Sequence, residues 1–162
     1  MNDDEFKLVA FMLIGFMMVI AVYPIFAENR GPVEPFSELG ILGPGRKLGD
    51  YPREVVVDQS IQLYLYVGNH EGKAEYYRVL AKTGDINSNV SDVSVLDAPL
   101  VSSWDFVLTN EGNSTLPISL SFPTAGLNQR LIFELYMYDS SNRSFVYHQR
   151  WTQLWMNVTA PG

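Results

Sequence analysis

Residues 8–26 carry no charged side chain, and this apolar run constrains the chain more than any other feature. At a rise of 1.5 Å per residue a helix over this run is about 28 Å long, close to the hydrocarbon thickness of a bilayer. Gly15 and Pro24 are better tolerated in a helix within lipid than in water, and Tyr23 suits the headgroup level. The run predicts one transmembrane helix that ends near Pro24, after a short tail at residues 1–7.

Two cleaved leaders compete with a permanent anchor. A secretory signal peptide has a basic start and small residues before its cleavage site, whereas this chain starts with acidic residues 3–5 and places Ile25 where a small residue belongs. A pilin or flagellin leader has glycine or alanine before its processing site, where this chain has Phe6 and Lys7. The sequence therefore favours the anchor.

The orientation of the helix follows from sequons rather than from flanking charge. Lys7 and Arg30 flank the two ends, which leaves the positive-inside count near a tie. Random placement of the ten Asn and nineteen Ser or Thr residues would give about one Asn-x-Ser/Thr motif. The chain has four such motifs, and they predict a glycosylated C-terminal region outside the cytoplasm, with glycans at Asn89, Asn113, Asn142 and Asn157.

Composition indicates one folded domain after the helix. Residues 27–52 are rich in glycine and proline and predict a linker followed by a shaped loop, and residues 53–162 suit a single domain. The net charge of −7 argues against a nucleic-acid partner, which needs clustered Lys and Arg. The chain has no cysteine, which excludes disulfides, a thiol nucleophile and thiolate metal sites.

The pattern from residue 53 onward is that of β-strands. Within residues 61–67 the apolar side chains alternate with Gln62, Tyr64 and Tyr66, as in a half-buried strand. Clusters of Gly, Asn, Ser and Pro separate similar segments, which we predict at 54–58, 61–67, 74–83, 93–96, 104–109, 116–122, 131–138, 145–150 and 154–158. About eight strands at this spacing predict a mainly β fold, an immunoglobulin-like antiparallel β-sandwich preceded by one N-terminal transmembrane helix.

Several motifs together resemble an archaeal membrane-protein family, domain-of-unknown-function family 1616. They are ELGILGPG at 38–45, GDYP at 49–52, VGNHEG at 67–72, LIFELY at 131–136 and LWMNV at 154–158. The resemblance covers most of residues 36–159. Members of that family often carry several membrane helices before the domain, whereas this sequence shows one. The resemblance implies an archaeal source and an outward-facing β-domain, and it implies no known activity.

The chemistry-bearing residues predict no catalytic, cofactor or metal site. His70 and His148 are the two histidines, and nothing in their spacing brings them together for zinc or copper. Four aspartates offer carboxylates for hydrolysis, but none stands beside a nucleophile or acid in a recognisable motif: Asp85, Asp92, Asp97 and Asp105. We therefore expect a protein that is not an enzyme.

Tyrosines suggest a contact surface instead. If one face of each strand is core, the opposite face presents Tyr64, Tyr66, Tyr136 and Tyr138, and tyrosine is enriched at interfaces. Within the helix, Gly15 would allow close approach of a neighbouring helix. The leading hypothesis is a non-catalytic accessory or structural subunit of a larger archaeal membrane or cell-envelope assembly, in contact with lipid and other membrane subunits. Alternatives are a module that binds surface carbohydrate or solute, and a metal-binding or enzymatic ectodomain.

Overall fold

The computed structural model describes residues 2–28 and 34–162, with the side chains of residues 24–28 outside that description. The chain divides into two compact units, residues 1–34 and 35–162. The expected flanking charge of Arg30 and part of the expected linker lie outside the described residues.

Helix α1 (Asp3–Glu28) makes up the first unit. Its first turn carries three acidic residues, which the positive end of the helix dipole favours. The predicted helix, residues 8–26 with an end near Pro24, is too short: the helix begins at Asp3, within the predicted tail, and continues past Pro24 to Glu28. A proline removes only one backbone donor, and an apolar membrane-type helix tolerates that loss. Asp3–Tyr23 has a mean hydropathy of 2.3 and is long enough to cross a membrane, criteria that an N-terminal signal sequence also meets.

The second unit is a sandwich of two sheets, which confirms the predicted mainly β, immunoglobulin-like fold after an N-terminal apolar helix. One sheet has the order β1-β3-β6 and the other the order β2-β8-β7-β4-β5; all pairs are antiparallel except β2 with β8. The strands are β1 (Phe36–Leu42), β2 (Glu54–Val56), β3 (Ile61–His70), β4 (Glu75–Gly84), β5 (Leu100–Leu108), β6 (Asn113–Leu120), β7 (Gly126–Asp139) and β8 (Ser144–Thr159).

The core lies between the sheets and follows the predicted alternation. Leu63 and Leu65 of β3 are essentially inaccessible, as are Phe133 and Leu135 of β7. Side chains of this size each contribute about 1.5–3 kcal/mol when they leave water. The outward residues of the same strands form the two outer faces of the sandwich.

Three predicted boundaries are wrong. Residues 36–42, which were predicted to begin the shaped loop, form β1 instead. They pair with β3 at the edge of the sheet, where the Tyr66 side chain packs over Gly40. Residues 93–96 were predicted as a strand and instead belong to the β4–β5 connection. The two segments predicted at 145–150 and 154–158 are one strand, β8, with a bulge at Gln149.

Candidate functional site

Asn69 organises a buried hydrogen-bond network at one end of the sandwich. Its side chain is fully inaccessible, and its Nδ2 lies 2.9 Å from the carbonyl oxygens of Lys73 and Leu108 and 3.1 Å from that of Thr109. Its Oδ1 accepts from the Tyr77 hydroxyl at 3.1 Å and from a backbone N–H of the adjoining turn. One amide thus holds the β3–β4 hairpin against the end of β5.

Ser37 extends this network to two more strands, β1 and β8. Its Oγ donates to Glu71 Oε1 at 2.6 Å and lies 2.9 Å from the Tyr77 hydroxyl and 3.0 Å from His148 Nε2. His148 Nε2 also lies 3.0 Å from Glu71 Oε1. Burial of the Tyr77 ring raises the pKa of its hydroxyl to about 12. We call Ser37, Asn69, Glu71, Tyr77 and His148 the polar clasp, because it joins β1, β3, β4 and β8.

The geometry of the polar clasp differs from that of a catalytic triad. In a triad the imidazole bridges the hydroxyl and the carboxylate through its two different nitrogens. Here one nitrogen of His148 approaches both Ser37 and Glu71, and the Ser37 hydroxyl donates to the carboxylate. The arrangement ties β1 and β8 to the turn between β3 and β4.

The backbone beside the clasp is unusual. Gln149 has a φ of 57°, a left-handed conformation that is uncommon for a residue with a side chain and that marks the bulge in β8. The neighbouring His148 lines two pockets, of about 330 and 320 Å³. The bulge turns the His148 side chain toward the interior, where it meets Ser37.

His70, the other histidine, belongs to a separate surface cluster. Its Nδ1 lies 2.7 Å from Glu111 Oε2, its Nε2 lies 3.6 Å from Glu38 Oε2, and its ring stacks on Phe36 at 4.5 Å. The two histidines therefore lie in separate clusters of the structure. Within residues 2–28 and 34–162, no group of three His, Asp or Glu side chains is arranged to hold a metal ion.

The pKa of His70 should respond to Glu111. The hydrogen bond to Glu111 is the largest of the causes that raise this pKa above its ordinary value. The interaction therefore favours the folded state at low pH and is lost as the pH rises through the folded-state pKa. We expect Glu111→Gln to lower the NMR titration midpoint of His70; an unchanged midpoint would show that the carboxylate does not act on the ring.

The β4–β5 connection, residues 85–99, packs on the outer face of the five-stranded sheet, where it contacts β4, β7 and β8. Under it, Lys82 Nζ lies 2.8 Å from Glu134 Oε2 and donates to the Leu96 carbonyl at 2.6 Å. The Leu96 N–H donates to Glu134 Oε1 at 2.6 Å, and the Leu96 side chain is buried. We call residues 85–99 the strap. Sequence reasoning missed this buried ion pair, because an outward lysine in an alternating strand looks like an ordinary surface residue.

The four tyrosines predicted as one contact face lie on two. Tyr64 and Tyr66 point outward from the three-stranded sheet, while Tyr136 and Tyr138 point outward from the five-stranded sheet on the other side of the sandwich. The period-two pattern within each strand correctly predicted that these tyrosines point away from the core. It could not predict that β3 and β7 belong to different sheets, because that depends on the tertiary structure.

A row of half-buried aromatic side chains crosses β4, β7 and β8 on the outer face of the five-stranded sheet. Tyr76 pairs with Val107 in the neighbouring strand on one side, and Tyr138 pairs with Phe145 on the other. The ring centroids of Tyr76 and Tyr138 are 5.8 Å apart, and those of Tyr138 and Phe145 are 5.4 Å apart. We call Tyr76, Tyr138 and Phe145 the aromatic row.

The predicted glycosylation sites occupy distinct positions. Asn89 is exposed on the strap, Asn113 is exposed at the first residue of β6, and Asn142 is exposed in the turn between β7 and β8. Asn157 is half-buried in β8, where its Oδ1 accepts from the backbone N–H of Asn128 at 3.0 Å. Three of the four acceptor side chains are therefore open to solvent.

Together the fold and the polar clasp define an immunoglobulin-like β-sandwich domain that follows an apolar N-terminal helix. The chain belongs to the family described as domain of unknown function (DUF1616), which matches residues 31–157. This confirms the family resemblance drawn from the motifs. In the structure, two residues of the VGNHEG motif, Asn69 and Glu71, lie in the polar clasp.

Solved structures similar to this chain are distant in sequence. The CARDB domain of the PF1109 protein from Pyrococcus furiosus, in complex with di-metal ions, is 15% identical with a TM-score of 0.48 over 77% of this chain and 89% of that chain. A β-glucosidase from Listeria innocua is 12% identical with a TM-score of 0.46 over 77% of this chain and 16% of that chain. A chain of the human seminal plasma complex between zinc 2-glycoprotein and prolactin inducible protein is 6% identical, with a TM-score of 0.48 over 80% of this chain and all of that chain. Comparison with curated proteins finds no match.

Proposed function

We propose that the protein is a non-catalytic, single-pass membrane protein whose glycosylated, extracytoplasmic β-sandwich serves as an accessory or structural subunit of a larger archaeal membrane or cell-envelope assembly. The proposal rests mainly on one observation: the chain has a long apolar helix followed by a domain whose polar clasp joins strands by hydrogen bonds. A helix of this kind retains the domain at the membrane, and the domain offers surfaces for contact.

The exposed Asn89, Asn113 and Asn142 side chains support an extracytoplasmic location. N-linked glycans are attached on that side of the membrane, and each of these sites leaves room for a bulky sugar in solvent. The chain would then be anchored by lipid contacts along α1, with the sandwich outside the cell membrane.

The outer face of the three-stranded sheet is the surface best suited to a neighbouring subunit. Leu42, Tyr64 and Pro117 lie side by side across its three strands, and the Arg46 guanidinium lies 4.8 Å above the Tyr64 ring. Half-buried tyrosine with an adjacent arginine is typical of interface centres. The predicted tyrosine contact is thus assigned to Tyr64 and Tyr66, on the opposite side of the sandwich from Tyr138.

Glycosylation can be checked directly. Intact-mass analysis of the protein purified from its native membrane is expected to show glycans on Asn89, Asn113 and Asn142, because these acceptors are exposed. Asn157 is expected to be modified least, since its side chain is half-buried in a strand. A mass equal to the bare polypeptide would remove the support for the extracytoplasmic orientation.

The proposed assembly can be tested by mild detergent extraction. We expect the native protein to migrate in a high-mass complex, and mass spectrometry of the co-migrating chains would identify its partners. Tyr64→Ser is expected to shift the protein toward a smaller species, whereas Tyr138→Ser leaves the complex intact. A monomer that is retained on a glycan column would instead favour the carbohydrate-binding alternative, and bound metal would favour the metal-binding one.

The helix offers a second contact with that complex. An added Cβ at Gly15 meets no other atom of the described chain within 4 Å, so a larger side chain does not disturb the monomer. Gly15→Leu is therefore expected to preserve membrane insertion and folding while it weakens association with a neighbouring helix that packs against this position. Native gels of both variants measure this, with Ala10→Leu as the matched control. An intact complex with Gly15→Leu would make α1 a simple tether.

A further inference from the structure

The edge of the sandwich formed by β5 differs from the other three sheet edges of the described chain. β1 is tied to β8 by Ser37 and His148, β2 has only three residues, and β6 carries Pro117, which has no backbone N–H to donate. β5 has nine residues and contains no proline, glycine or lysine. Among the described strands it pairs with β4 alone. A long edge without such protection is a template for pairing with another strand.

This edge offers both backbone groups and apolar side chains. In an antiparallel pair every second residue turns its N–H and C=O away from the partner, so about half of β5 directs these groups beyond β4. Near the two ends of β5, Leu100 is 59% exposed and Val107 is 76% exposed. Both lie on the outer face, because Leu100 pairs with Lys82 and Val107 pairs with Tyr76, whose side chains point outward. A second strand along this edge covers apolar surface as well as backbone.

The sequence of β5 is nearly the same in both directions. It reads LVSSWDFVL, with leucine at each end, valine next to each leucine, and Trp104 in the centre. When two copies of this strand pair antiparallel about Trp104, Ser103 of each copy lies opposite Asp105 of the other. The next pair outward is Ser102 with Phe106. A hydroxyl thus meets a carboxylate, and a small side chain meets a large one.

The charge and the ring at the centre of β5 are compatible with this pairing. Asp105 forms a bidentate ion pair with Arg78 of β4: Oδ1 lies 2.7 Å from Nε, and Oδ2 lies 2.8 Å from Nη2. Two copies therefore do not bring uncompensated carboxylates together. The Trp104 ring stacks on Phe133 of β7 with 6.3 Å between centroids. Because β4 lies between those strands, the ring leans toward its own copy and leaves the two-fold axis open.

We propose that β5 pairs with β5 of a second copy of this chain, in a symmetric homodimer whose two-fold axis passes beside Trp104. The two five-stranded sheets then form one continuous sheet, and Val107 of each copy lies near Leu100 of the other on the outer face. The occupant is a second copy because β5 is complementary to itself in polarity and in side-chain size. The dimer goes beyond the proposed function and does not depend on it, since Tyr64 lies on the other sheet.

The dimer can be measured with the full-length protein in detergent micelles, by sedimentation at several protein concentrations. We expect the wild type to dimerise. Ser103→Asp places a second carboxylate opposite Asp105 of the other copy at two symmetric positions, so dimerisation is expected to weaken about tenfold. Ser103→Lys places an ammonium group there and is expected to retain the dimer. Ser103 is exposed, so both variants should keep the melting temperature of the wild type. Ser119→Asp, at an exposed serine of edge strand β6, is the matched control and should leave the dimer unchanged.

Cysteine cross-linking tests the register of the pair, because the chain has no cysteine of its own. Directly opposed residues of antiparallel strands have Cα atoms about 4.5–5.5 Å apart, within the range of a disulfide. An equal mixture of the Ser103→Cys and Asp105→Cys proteins is therefore expected to cross-link more under mild oxidation than either protein alone. Ser119→Cys is the control and is expected to cross-link with neither.

A wild-type protein that stays monomeric at every concentration would overturn the inference. A dimer that Ser103→Asp leaves unchanged would also overturn it, as would a dimer that Gly15→Leu dissociates, since the contact would then lie in α1. Equal cross-linking in the mixed and the single samples would contradict the pairing about Trp104.

Discussion

Replacing Glu134 with alanine is expected to lower the free energy of unfolding of the sandwich by about 3–5 kcal/mol, since removal of one partner from a buried ion pair leaves the other charge uncompensated. Glu134 is fully buried and Lys82 nearly so, with 2.8 Å between their charged atoms. The variant also removes the acceptor for the Leu96 N–H and for the Tyr136 hydroxyl, whose pKa is raised mainly by burial. Urea unfolding of the full chain, followed by tryptophan fluorescence, measures the loss.

The strap should detach in the same variant. Its buried Leu96 side chain is fixed by hydrogen bonds at both its N–H and its carbonyl, and both depend on the ion pair. We expect limited proteolysis to cleave within residues 85–99 of Glu134→Ala much faster than in the wild type.

The double variant Lys82→Met, Glu134→Gln serves as the control for the ion pair. It removes both charges but keeps an acceptor near the Leu96 N–H, so it should be more stable than Glu134→Ala alone. A loss below about 1 kcal/mol in Glu134→Ala would mean that the strap does not bury the pair in solution.

Asn69→Ala is the second variant with a large expected effect. The side chain satisfies three backbone carbonyls and accepts from the Glu71 N–H and the Tyr77 hydroxyl, and no solvent reaches it. Each buried polar group left without a partner costs about 1–3 kcal/mol, so a total loss of about 3 kcal/mol or more is expected. Thermal unfolding of the full-length protein in detergent, with the same protein concentration throughout, measures it.

Two further variants serve as controls for the stability loss in Asn69→Ala. Tyr77→Phe removes one hydroxyl from the polar clasp and should cost about 1 kcal/mol. His70→Ala removes the half-buried ring of the next residue, which lies outside the polar clasp, and should cost less than Asn69→Ala. If Asn69→Ala were no more damaging than His70→Ala, the network would not be holding the hairpin.

Sequence reasoning succeeded where a local pattern and its physical cause coincide. Alternating apolar residues in 61–67 predicted the buried face of β3, because the period of a strand is two whatever it packs against. The motifs predicted the family, and the fold class followed from strand spacing. Residues 36–42 were assigned to the predicted loop because a glycine-rich run starts at Gly40, but the side chain that packs over Gly40 comes from another strand.

Pairing across distant parts of the chain was beyond the sequence. The polar clasp joins Ser37, Glu71 and His148, and the buried ion pair joins Lys82 and Glu134 under a connection in which the sequence predicted a strand at residues 93–96. Hydrogen bonds of this kind depend on which strands become neighbours, and period-two alternation carries no information about that choice.

The sequence by itself determined an apolar helix of membrane-crossing length and the alternating inward and outward direction of residues 61–67 in β3, because both depend only on local composition and backbone period. The tertiary structure alone decided that Tyr64 and Tyr138 face opposite ways and that Glu134 is buried. Those outcomes are set by the sheet to which each strand belongs and by the path of the strap, both of which result from long-range packing.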